Sequence, residues 1–370
     1  MSKLIGAMRW AMCALLATQL LFADESSRSN GRTEGEGWLQ QGNLHAAEKV
    51  FVLALEEARR LGIDNEGYAL ALNNLAVVAQ ERGDYASAER LFRQALSVMR
   101  DTAGMDDLGT ARVSGNLGDL LRLQGRYLDA DRLLRQSLTT RLKKLGPDHV
   151  DVAWSYAVIG ALHANRGEHS RAVPLLKQAL VIRQRSLGPE HPQVADTLCT
   201  LAAIYIRSGQ YDEADESLRR AFTIGERAAP LHPRQAEILV NQGASAAKQG
   251  RHSDAEGYFH RAMQIWDGSG ASLHAAAAAT LSNLGYLYLR LGHYARAESV
   301  LRRALEIEED TIGPNHPDTA HTLVSLAKTL RKLRRGGEAR AYENRARTLL
   351  RSHARENRTD LVLDVQSFKH

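Results

Sequence analysis

The sequence predicts an all-α solenoid of about seven to eight helix-turn-helix units, and three observations predict it. The phrase Gly-x-[Tyr/His]-x-x-Ala recurs at Gly83, Gly125, Gly167, Gly209, Gly250 and Gly292, at intervals of 42, 42, 42, 41 and 42 residues. A second phrase falls between these, as LGPDHV from Leu145, LGPEHP from Leu187 and IGPNHP from Ile312, with AAPLHP from Ala228 a looser copy. The composition is rich in Ala, Leu and Arg and only 6% aromatic, which favours helix over the β-branched and aromatic enrichment of sheets.

The chain of 370 residues opens on Lys3 and Arg9, followed by the apolar run Trp10 to Ala23 and then by polar DESSRSNGR. That run is short of the about 20 apolar residues a membrane-spanning helix needs. Residues 1–23 read as a cleavable secretory signal with cleavage before Asp24. The other reading is an uncleaved N-terminal anchor, because Leu21 fits poorly three residues before the cut. Both readings export the bulk of the protein, to the periplasm or the medium. Cleavage leaves no stable membrane insertion.

Residues 24–37 include GRTEGEG, which lacks the Lys-Ser/Thr of a phosphate loop and follows no predicted strand, so they read as a flexible linker. Residues 38–351 form the repeat array and 352–370 a C-terminal tail. Within the tail, TDLVLDVQSF partly alternates like a strand. Of the two cysteines, Cys13 lies inside the apolar run and would leave with the signal, so Cys199 has no partner for an internal disulfide. Packing alone must hold the domain together.

Each repeat carries the same internal pattern. A first helix precedes the glycine and places a large residue beside a small one, at Leu75-Ala76, Leu117-Gly118, Ile159-Gly160, Leu201-Ala202, Leu284-Gly285 and Leu326-Ala327, with Gln242-Gly243 the exception. A second helix follows, with Ala88, Ala130, Ala172, Ala214, Ala255 and Ala297 each followed four residues later by Phe or Leu and three after that by Ala or Ser. Spacings of four and three lie on one helical stripe, and small residues there let two helices approach closely. The glycine supplies the tight turn. Degenerate copies stand at Gly42 and at RRGGEAR, where Arg334 holds the place of the glycine.

The LGPEHP phrase forms the corner from one second helix to the next first helix, since Gly ends a helix in a left-handed residue and Pro suits the start of the next. Its histidines, His149, His191, His232 and His316, sit in corners a whole repeat apart, which one metal ion cannot bridge. They read as caps, with no metal site and no cofactor.

These small, large and aromatic positions resemble the tetratricopeptide repeat, and the period of 42, with phrases such as LNNLA and LSNLG, resembles its kinesin light chain-like subclass. The resemblance implies a right-handed superhelix whose first helices line a concave groove that binds a peptide segment or protein partner. It also implies that asparagines of the NNLA type help hold a peptide backbone. Asn73, Asn74, Asn116, Asn241 and Asn283 are the matching residues. All but Asn73 lie nine residues before a turn glycine, in a row with Val158, Thr200 and Ser325. The same ladder can instead tie neighbouring repeats together.

A second row, two residues before the glycine, becomes uninterruptedly basic at Arg207, Lys248, Arg290 and Lys332, and would attract an acidic peptide or surface. A solvated rim is the alternative. Removing residues 1–23 takes away Lys3 and Arg9 and no acid, leaving 46 basic side chains against 43 acidic, too near balance to suggest nucleic acid. No acid, base and nucleophile cluster at catalytic spacing. The sequence thus describes a non-catalytic interaction scaffold, with a ligand-sensing array or an accessory subunit of an envelope complex as the alternatives.

Overall fold

The computed structural model describes residues 30–40, 43–61, 65–228, 233–268, 275–314 and 319–357. These divide into two compact units, 30–251 and 252–357. The first contains α1 (Asn30–Gln40), α2 (Leu44–Leu61), α3 (Glu66–Glu81), α4 (Tyr85–Thr102), α5 (Leu108–Leu123), α6 (Tyr127–Leu145), α7 (Val150–Asn165), α8 (His169–Leu187), α9 (Pro192–Arg207), α10 (Tyr211–Ala228) and α11 (Pro233–Lys248). The second contains α12 (His252–Gly268), α13 (Ala275–Arg290), α14 (Tyr294–Thr311), α15 (Thr319–Lys332) and α16 (Gly336–Asn357). No strand occurs among the described residues, and no helix there is long and apolar enough to cross a membrane.

The helices pair as the period requires: α3 with α4, α5 with α6, α7 with α8 and α9 with α10 in the first unit, and α13 with α14 and α15 with α16 in the second. Small residues set their separation. A Cβ added at Gly118 would meet Leu134 Cγ at 2.8 Å, and one at Gly160 would meet Leu176 Cγ at 2.9 Å. The alanines Ala88, Ala130, Ala172, Ala214, Ala255 and Ala297 are fully buried, as are Phe92, Leu134, Leu176, Leu218 and Leu301 one turn on. Apolar area at these junctions is the main stabilising contribution of each repeat.

The turns follow from backbone chemistry. Gly83 to Gly292 take φ between 76° and 81° at all six turn positions, which returns the amide of the following residue to a carbonyl five residues back, as in Asp84 N to Ala79 O at 2.9 Å. Arg334 takes the same conformation at φ 64° without the freedom of a glycine, and is the only such non-glycine among the described residues. At the corners, Asp151 N donates to His149 Nδ1 at 3.1 Å and Gln193 N to His191 Nδ1 at 3.3 Å. These two histidines are N-caps; His232 and His316 lie outside the described residues.

Within each unit the first helices also touch one another in succession, α3 with α5, α5 with α7, α7 with α9 and α9 with α11, and α13 with α15. Among the described residues no pair of successive second helices approaches as closely. The first helices therefore line the inner side of each unit.

Two boundaries differ from the sequence expectation. Residues 30–37, expected as part of a linker, are helical within α1, where Phe51 of α2 occupies the space a side chain at Gly35 would fill. Here glycine marks close helix contact instead of flexibility. At the other end α16 runs past Arg351 to Asn357, and the strand-like TDLVLDVQSF segment lies outside the described residues. Residues 1–23, expected to be a signal, do as well.

Candidate functional site

The asparagine ladder is mostly interior. Asn73, Asn74, Asn116 and Asn241 are at most 4% exposed. Asn116 Nδ2 donates to Asn73 Oδ1 at 2.9 Å across the α3–α5 contact, and Asn73 Nδ2 donates to Asn74 Oδ1 at 3.2 Å. At its start, then, the ladder ties repeat to repeat. Asn241 differs, for neither its amide oxygen nor its nitrogen has a hydrogen-bond partner. On α9 the register that Asn73 occupies on α3 belongs to Cys199, a buried thiol pushed well up by burial and then by Asp196. Asn283 is only partly buried.

The basic row is exposed as expected: Arg207 and Lys248 in the first unit, Arg290 and Lys332 in the second. Each sits in the last turn of its helix, where a positive charge also complements the helix dipole. Two further arginines on the first helices do not add to this row. Arg122 is buried and pairs with Asp119 at 2.6 Å, and Arg331 is held by both carboxylate oxygens of Glu343, at 2.6 and 2.7 Å. Tyr288 is core, its hydroxyl donating to Glu256 at 2.8 Å.

Successive repeats are joined by a further device. Arg141 Nη1 donates to Ser155 Oγ at 2.9 Å, Arg183 Nη1 to Thr197 Oγ1 at 2.8 Å, Trp266 Nε1 to Thr280 Oγ1 at 3.1 Å, and Thr322 Oγ1 to Glu308 Oε1 at 2.8 Å. Each bond spans 14 residues and joins the end of a second helix to the start of the next first helix. Where the second-helix residue is Gly225, Gln235 fills the gap and donates to Phe222 O at 3.1 Å. Burial pushes Arg141 and Arg183 down to about 10, against the pull of Asp151 and Asp196 respectively.

The inner side of the first unit also holds acids that no uniform row announced. Asp119 lies six residues before Gly125, and Asp196 and Glu237 thirteen before Gly209 and Gly250, on the stripe that carries the asparagines. Burial raises Asp119 and Asp196. Burial also raises Glu81 to about 7 and Glu237 to about 8, with Arg234 opposing in both; Asp119 adds to the first, Asp196 and Glu81 to the second. Both glutamates keep part of their surface exposed, yet Glu81 Oε1 is itself buried without a partner. Among the described residues no three metal-ligating side chains converge.

The tetratricopeptide repeat signature matches residues 39–101, 109–183, 159–227, 234–310 and 294–352. The chain belongs to the tetratricopeptide repeat family. No curated protein matches it at the sequence level. In fold it is similar to BtubC (BKLC) from P. vanneervenii, at 22% identity and TM-score 0.50 over 61% of this chain and 92% of that one. It is also similar to the quorum sensor NprR from B. thuringiensis in its apo form, at 10% identity and TM-score 0.62 over 88% and 90% of the two chains. A Rap protein complexed with competence and sporulation factor gives 12% identity and TM-score 0.66 over 96% and 99%. These likenesses concern the fold; the 42-residue period and the corner phrase are what resemble the kinesin light chain-like repeat.

Proposed function

We propose that this tetratricopeptide repeat protein is a non-catalytic scaffold that takes a peptide segment or protein partner against the inner side of its first helices. The observation that carries the reading is the chemistry of that side in the first unit. Buried hydrogen-bonding atoms without partners, those of Asn241 and Asp196 Oδ2 among them, lie on the stripe that helix packing leaves facing inward. A buried polar group without a partner costs about 1–3 kcal/mol, and a bound peptide that supplied the missing bonds would recover part of that. The exposed Arg207 and Lys248 at the ends of α9 and α11 add long-range attraction for acidic groups.

Affinity capture from cell-envelope and secreted extracts tests the proposal, run with the full chain beside the R207E/K248E variant. A partner retained by the native chain and weakened by the variant, with marked salt dependence, supports it; equal retention moves the interface elsewhere.

A second reading, a sensor whose array changes dimensions around a small ligand or signalling peptide, is favoured by the fold likeness to a quorum sensor. Small-angle scattering with and without a captured ligand separates it from a rigid scaffold. Export is a further proposal, resting on the charged-then-apolar run of residues 1–23. An intact mass beginning at Asp24 would support it, and a retained Met1 would favour the anchor.

A further inference from the structure

Four side chains in the first unit form a group that repeat packing does not explain. Asp196 on α9 and Glu237 on α11 hold the same register on touching first helices. Arg234 Nη1 approaches Asp196 Oδ1 at 3.6 Å. Glu81, four repeats earlier at the end of α3, interacts electrostatically with both Arg234 and Glu237. Three carboxyl groups are thus acted on by one guanidinium. Among the neighbours, Asp119 is taken by Arg122, and Arg183, whose Nη1 donates to Gln193 O and Thr197, acts on Asp196 less than Arg234 does. His191 and Cys199 are the remaining titratable groups near Asp196. Burial is the first cause of the raised positions of Glu81 and Glu237, and the neighbouring acids add to it.

Asn241 is an independent sign of a missing ligand. It stands one turn after Glu237 on the same face of α11, is 1% exposed, and has no hydrogen-bond partner on either amide atom. Asp196 Oδ2, 5% exposed as a residue, is in the same condition.

The same two helices carry bases farther along. Arg207 follows Asp196 and Lys248 follows Glu237 by 11 residues, which is about three turns on one face and about 16 Å along the axis. Each helix therefore presents an acid near its start and a base at its end.

We infer that α9 and α11 form a dipolar peptide site, in which an ammonium or guanidinium of the ligand sits among Asp196, Glu237 and Glu81, Asn241 bonds the adjoining polar group, and an acidic group reaches Arg207 and Lys248. This rests on the peptide-binding reading above and specifies it. At about 3.3 Å per residue an extended ligand spans the two ends in about five residues.

A pool of randomised octapeptides, with free and with acetylated amino termini, tests this by affinity selection on the full chain and on its E237Q, D196N and N241A variants. The native chain is expected to retain peptides with a cationic group and, four to six residues away, Asp or Glu. The variants should lose the enrichment in the cationic group by about tenfold, a 1.4 kcal/mol effect, while keeping the acidic preference. Loss on acetylation would identify the ligand amino terminus as the cation; survival of lysine- or arginine-bearing acetylated peptides would identify a side chain. Retained peptides without a cationic bias, or identical selections by native and variant chains of matched thermal stability, would overturn the dipolar site and leave the groove intact. If the native chain retained no peptide at all, the groove reading would fall and this inference with it.

Discussion

Arg183 and Thr197 are joined at 2.8 Å between the end of one second helix and the start of the next first helix, and the arginine is fully buried. Four repeat junctions carry a polar pair in this register, whereas Met99 and Val113 occupy it in the first. Polar faces polar, and apolar faces apolar. Thr197→Val should therefore destabilise by about 1–3 kcal/mol, since it leaves a buried charged donor short of an acceptor. The double variant R183M/T197V, which copies the Met99 and Val113 pair, should recover part of that loss in urea unfolding.

Arg334 pays for a left-handed conformation that glycine adopts freely at the six other turns. Arg334→Gly should raise stability by about 1 kcal/mol, read as a shift of the denaturant midpoint for the second unit. An unchanged or lower midpoint would show that its side chain contributes more than the strain removes.

Ala172 is fully buried, and its carbonyl oxygen lies 3.3 Å from where a Cβ on Gly160 would stand. Ala172→Leu should overpack the α7–α8 junction and cost about 1–3 kcal/mol. The same substitution at Ala214 should behave alike, and wild-type thermal unfolding for both would contradict the repeat register.

The inner carboxyls make a signed prediction about pH. Glu81 and Glu237 keep their protons in the folded chain up to about 7 and about 8, whereas in the unfolded chain they lose them near their ordinary values. The folded state therefore holds more protons in that window, and stability must fall as pH rises through it. Glu237→Gln should flatten the decline between about pH 5 and about pH 8, followed by thermal melts. An opposite trend competes on the acid side: His169 and His191, lowered by burial, lose stabilisation as they protonate below their ordinary range, and Glu168, Glu338 and Glu343, lowered by their hydrogen bonds, lose theirs below the ordinary carboxylate range.

Much of this architecture was legible because repetition multiplies a weak signal. One glycine says little, but six at a near-constant interval located the turns, the small residues against Leu134 and Leu176, and the caps at His149 and His191. Gly35 misled because a glycine permits close packing as readily as a loose chain, and only Phe51 of α2 decides which. The inward acids escaped notice because the rows of Asp119, Asp196 and Glu237 have no uniform chemistry, running from Val77 and Ala161 to Lys328 in one and from Leu70 and Trp154 to Arg112 in the other. The tie between Arg183 and Thr197 left a trace in the repeated Arg141 and Ser155 pair. The ladder asparagines looked equivalent in sequence, but their neighbours separate them: Asn73 completes Asn116, and Cys199 stands where Asn241 would need the same help.

Site-specific photo-crosslinking in native envelope extracts tests the central claim most directly, with a benzophenone side chain placed in the full chain at Lys248 on a first helix or at Leu128 on a second helix, where the residue is 82% exposed. Binding on the first helices predicts a discrete crosslinked partner from Lys248 and none from Leu128. A partner that crosslinks from Leu128 and not from Lys248 would put the binding surface on the second helices and contradict it.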